Sequence, residues 1–115
     1  MEKVYPDLNQ MIADMTEGDE AFEKELIQAI FQGLLELKTV YTEGYLEKDE
    51  IKIQHIRHKI KPTLMMFGLE PISLELHNGK EIVEAKGFNS EFKLHFTKLN
   101  RELDLAIQRV FELAN

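Results

Sequence analysis

Apolar residues recur every three or four positions along almost the whole chain and nowhere alternate between hairpin turns, a pattern that predicts helices and no sheet. Pro6 and Asp7 open a short first helix, Tyr5 to Thr16, with Leu8, Met11, Ile12 and Met15 on one side. Glu17-Gly18-Asp19 breaks it, and Asp19 is placed to cap the next. The second helix runs from Glu20 to about Thr42. Its broad stripe holds Phe22, Leu26, Ala29, Ile30, Gly33, Leu34, Leu37 and Tyr41, widened by Ile27, Phe31 and Leu35, and implies contact with more than one neighbour. Gly33 costs about 1 kcal/mol relative to Ala in mid-helix, which is read as close helix packing. Gly44 is expected to terminate this helix.

A third helix, Ile51 to Phe67, follows Asp49 and ends at Gly68, whose missing Cβ suits a left-handed cap. Glu70 and Pro71 start a fourth, marked by Ile72, Leu74, Leu76, Ile82, Val83 and Ala85 to about Lys86, with Asn78-Gly79 expected to loosen its middle. After the break at 87–90, capped by Asn89 or Ser90, a final helix carries Phe92, Phe96, Leu99, Leu103, Ala106, Val110 and Leu113 at helical spacing. The expected fold is all-α: an antiparallel up-down four-helix bundle with an additional short N-terminal helix, one domain over residues 1–115.

Turning the third helix by roughly 100° per residue gathers Ile53, Ile56, Ile60, Leu64 and Phe67 on one face with Thr63 at its border. His58 falls opposite. Gln54, His55, Lys61, Pro62 and Met65 share its outward side, with Lys59 and Met66 on the flank. A neutral imidazole exposed in this way is a good nitrogen nucleophile, and Lys61, three residues on, brings an ammonium to the same side, where it would steady phosphoryl oxygens.

Composition narrows the setting. The 115 residues contain no cysteine, so neither disulfides nor thiolate metal sites are available, which fits a reducing cytoplasm. No apolar run reaches the length of a membrane span, and the first residues lack the apolar core of a signal peptide; a soluble cytoplasmic protein is expected. The net charge of −7, with Lys and Arg scattered among more numerous carboxylates, argues against a nucleic-acid partner. His55 and His58 have metal-ligand spacing, but His77 and His95 lie on other helices and no Glu-x-x-His pair completes a site, so no metal is expected.

The run from His58 to Gly68 resembles the signature of histidine-containing phosphotransfer (HPt) domains. In that signature the phospho-accepting His is followed by Lys at the third position, a small residue (usually Gly) at the fourth, Ser or a similar residue at the fifth, and Gly at the tenth. Here these are His58, Lys61, Pro62, Thr63 and Gly68. Pro62 departs from the pattern. It removes the helical bond to the carbonyl of His58, costs about 3 kcal/mol unless the helix bends, and predicts a local kink beside the histidine.

The resemblance implies a phosphorelay carrier. A receiver domain bearing a phosphoaspartate would dock over the second and third helices, His58 would take the phosphoryl group, and another receiver would accept it. The partners implied are receiver domains of response regulators and of hybrid histidine kinases. Gln54, His55, Lys59, Met65 and Met66 form the expected docking surface. The chain needs no cofactor, magnesium being expected on the receiver, and has no ATP-dependent kinase activity. A monomer is expected.

His58 to Leu64 is also loosely similar to the dimerisation box of histidine kinases, His-Glu-Leu-Arg-Thr-Pro-Leu, but Lys59 stands where that box has an acid and no Gly-rich nucleotide-binding segment follows. The other alternative is a phosphorylation-independent adaptor for receivers or other signalling partners, built on the same helices.

Overall fold

Local capping chemistry sets the helix boundaries. In the computed structural model, which describes residues 4–114, all regular structure is helical: α1 (Leu8–Thr16), α2 (Glu20–Glu47), α3 (Glu50–Met66), α4 (Glu70–Lys86) and α5 (Ser90–Ala114). The Asp19 and Asp49 carboxylates accept the backbone N–H groups of Phe22 and Lys52, and the Asn89 side chain accepts that of Phe92. Asp7, by contrast, makes no side-chain cap, and α1 starts only at Leu8.

The C-terminus of α3 is the best-built end. Gly68 takes φ +64°, and the Leu69 N–H donates to the Leu64 carbonyl at 2.9 Å, closing the last turn while both leucines are buried. Pro62 lies within α3, which stays helical through it.

Two other glycines, Gly44 and Gly79, do not do what the sequence suggests. Gly44 lies inside α2, which runs on to Glu47, because at that level α2 meets α3 closely: a Cβ on Gly44 would stand 2.6 Å from Ile53 Cγ1. The helix ends instead at Lys48, with φ 54°. A side chain in this left-handed conformation costs about 1 kcal/mol. Lys48→Gly is therefore expected to stabilise the protein by about 0.5 kcal/mol, the greater freedom of glycine in the unfolded chain offsetting part of the gain. A urea midpoint raised at unchanged slope would show it; a lowered midpoint would mean that the lysine side chain outweighs the strain.

Two principal contacts of α2 are with α3 and α5, α4 packs on α3 and α5, and α1 packs on α2. The α2–α5 pair is antiparallel, since Phe31 meets Phe111, Lys38 pairs with Asp104, and Tyr41 meets His95. The core faces are narrower than the sequence stripes. On α2 they comprise Ile27, Ile30, Leu34, Leu37, Tyr41 and Gly44, at alternating steps of three and four, so Ala29 is exposed and Phe22 is 45% exposed. On α4 they are Ile72, Leu76, Gly79 and Val83, which turns Leu74 and Ala85 outward. Gly33 faces Ile60, as close packing requires.

The α4 helix is continuous through Asn78-Gly79, against expectation. Gly79 is buried because α2 and α5 bring polar side chains against it: an added Cβ would lie 2.2 Å from His95 Nε2 and 2.7 Å from the Tyr41 hydroxyl.

Candidate functional site

Ile53, Ile56, Ile60 and Leu64 anchor α3 in the core. His58, two residues from both Ile56 and Ile60, is turned roughly 200° from each and is exposed. Thr63 is half-buried at the edge of the stripe, and its carbonyl accepts the Phe67 N–H. Pro62 leaves the carbonyl of His58 without its usual helical donor.

His58 lines a groove of about 830 Å³ between α3 and α4. From α3 the groove receives Gln54, His55, Arg57, Lys59, Lys61, Leu64 and Met65; from α4 it receives Ser73, Leu76, His77 and Lys80. Among the described residues no carboxylate lines it, although the chain carries 21 acidic residues against 14 basic ones. Lys59 is drawn to the other flank of α3, where its ammonium lies 2.6 Å from Glu36 of α2. That bridge is exposed and adds little to stability. Lys61 is exposed and, among the described residues, has no carboxylate in ion-pair range, which leaves its charge available.

The sequence-predicted residues thus divide. His58, Lys61, Gln54, His55 and Met65 share the groove, with Lys59 at its rim; Met66 is 52% exposed outside it, and Met65 69%. Pro62 is exposed beyond the lining, and Gly68 ends the helix. The expected docking face lay toward α2. A smaller hollow does lie there, lined by Glu36, Val40, His55 and Lys59, but His58 belongs to the α4 side.

Sequence reasoning missed the contribution of α4, because His77 and Lys80 have ordinary surface spacing and only the packing of α4 on α3 brings them to the groove. It also missed a buried polar brace behind the site. His95 Nδ1–H donates to the Glu75 carboxylate at 2.8 Å, leaving Nε2 to accept the Tyr41 hydroxyl at 2.6 Å; Asn78 donates to the same carboxylate oxygen. The signal was present: His95 falls in phase with Phe92 and Leu99, on the buried face of α5.

Burial lowers the imidazole of His95 below its usual 6.5, opposed by the bond to Glu75. For Glu75, burial pushes upward, but the bonds from Asn78 and His95 outweigh it and hold the carboxyl below its usual 4.5. Burial also raises the Tyr41 phenol, the charge of Arg57 opposing and that of Glu75 adding. Both depressed groups bind fewer protons in the folded than in the unfolded chain. Their stabilisation is complete above about pH 6.5, is eroded first through His95 below that value, and then through Glu75 below about 4.5. The urea midpoint should accordingly fall between pH 7.5 and pH 5, with a shallower fall in His95→Gln. An equally steep fall in that variant would place the proton uptake elsewhere.

The chain matches no protein-family model, no curated protein and no solved structure. Among the described residues, no helix is long and apolar enough to cross a membrane.

Proposed function

We propose that this chain is a histidine-containing phosphotransfer protein of a two-component phosphorelay. The observation that carries the reading is an exposed imidazole, His58, fixed by a buried stripe on the opposite face of its helix and set with Lys61 in a groove that, among the described residues, no carboxylate lines. On this reading α2 to α5 form an antiparallel up-down four-helix bundle with α1 packed outside it, an arrangement supported by the cyclic order of their contacts.

In the reaction, one ring nitrogen of neutral His58 attacks the phosphorus of a receiver's phosphoaspartate. The N–P bond forms as the acyl O–P bond breaks, the aspartate leaves as a carboxylate with the bonding pair, and the proton on the other ring nitrogen passes to solvent. Lys61 balances charge on the phosphoryl oxygens. Magnesium belongs to the receiver, so the chain acts as a carrier in the cytoplasm, where receivers work, with no ATP chemistry of its own. A second receiver then takes the group. The receiver covers α3 and inserts its phosphoryl from the α4 side, with Met65 and Met66 as adaptable apolar contacts beside it.

The test is incubation of the folded protein with phosphorylated receiver domains from its own genome. An acid-labile, alkali-stable label on the chain is the expected result. Absence of label from every receiver would overturn the reading; a receiver that bound without labelling would favour the adaptor, to which the exposed methionines are equally suited.

A further inference from the structure

The electrostatics of the groove extend beyond the helix that carries His58. Lys80, half-buried on α4, lines the same groove as Lys61, and among the described residues neither has a carboxylate in ion-pair range. Lys52, Lys59 and Lys86 are each so paired. Arg57 adds a third cation to the groove wall. His77, also from α4, gives Nε2 to Glu81 at 2.7 Å and leaves its other nitrogen free. A chain of net charge −7 would repel anions over most of its surface, yet here it gathers cations from two helices around a cleft that, among the described residues, no carboxylate lines. Partly enclosed walls focus such a field.

We propose that this groove is a binding site for a phosphate-type oxyanion held between two helices, with Lys80 of α4 as the second phosphoryl-binding cation beside Lys61. The ligand is a tetrahedral phosphoryl dianion, either free in solution or, on the phosphotransfer reading on which this rests, carried by His58. Lys80 lies outside the run that identifies the site by sequence, so affinity for the phosphoryl group depends on how α4 is held against α3. Lys80→Met keeps the aliphatic stem and removes the charge, while Lys80→Arg keeps the charge.

Inorganic phosphate titrated into the protein at low ionic strength and followed by backbone amide and lysine side-chain NMR separates the possibilities. Shifts should cluster on α3 and α4 around the groove. Lys80→Met and Lys61→Met should each weaken binding by about fivefold; Lys80→Arg should restore most of it, and Lys24→Met, which removes a charge elsewhere, should leave it within about twofold. His58→Gln should still bind phosphate, which makes this result independent of whether the chain carries a phosphoryl group. In a labelled protein the same Lys80→Met change should shorten the life of the phosphohistidine. Shifts scattered over unrelated lysines, no saturable binding, or Lys80→Met equal to the parent would overturn the proposal; labelling of His58 with an unaffected Lys80→Met would overturn it while leaving phosphotransfer standing.

Discussion

His58→Gln is expected to carry no phosphoryl label from any receiver that labels the parent protein. The loss should be complete because an amide nitrogen has no available lone pair and cannot replace the imidazole as nucleophile. The fold should be indifferent: the residue is exposed and, among the described residues, makes no side-chain hydrogen bond or ion pair, so a change in stability of more than about 0.5 kcal/mol is not expected. His55→Gln and His77→Gln are the necessary controls, since both imidazoles line the same groove. Both should label at near the parent level. Label retained in His58→Gln and lost in either control would move the nucleophile to that residue and would break the correspondence with the phosphotransfer signature.

Gly79→Ala should be the most damaging single methyl group in the molecule. The added carbon would lie 2.2 Å from His95 Nε2 and 2.5 Å from its Cε1, with the Tyr41 hydroxyl at 2.7 Å. Real Cβ contacts do not approach this closely, so either α4 moves off α5 or the imidazole is displaced. Displacing the ring would break the bonds to Tyr41 and Glu75 and leave buried polar atoms without partners. Overpacking and an unmade hydrogen bond together suggest a loss of about 2–4 kcal/mol, against a typical domain stability of about 5–15 kcal/mol. Denaturant unfolding measures it directly. A loss below about 1 kcal/mol would show that the brace is soft and that α4 yields easily. Because α4 also lines the groove, a surviving Gly79→Ala protein should bind phosphate less well with every groove cation still present.

The helices and their order were legible because long amphipathic patterns fix both, and the caps at Asp19 and Asp49, with Asn89 as one of two candidates, were legible because their side chains satisfy local backbone donors. The orientation of His58 was legible from the phase of Ile53, Ile56, Ile60 and Leu64 alone. What could not be read was the purpose of two of the glycines. Gly44 and Gly79 have the local chemistry of helix ends or weak points, yet each is a helical position where another helix approaches closely, and approach is a property of the partner. The same limit hid Lys80, whose place in the groove depends on how α4 lies against α3. His95 was hidden by its type, since burial of an imidazole in this stripe requires Tyr41 and Glu75, distant in sequence, to meet it.

The pairing of α2 with α5 has a kinetic consequence. Each other principal contact joins helices that are consecutive in the chain; α2 on α5 alone does not. Two helical hairpins, α2–α3 and α4–α5, can therefore assemble from local contacts, and only their closure spans a large part of the sequence. Such low contact order predicts folding in the microsecond to millisecond range. Loop-closure entropy grows only as the logarithm of length, about 0.6 kcal/mol for each doubling. Flexible residues inserted at 87–89, between α4 and α5, should therefore slow formation of that hairpin only modestly, whereas separating α2 from α5 would leave two hairpins with their inner faces open to water.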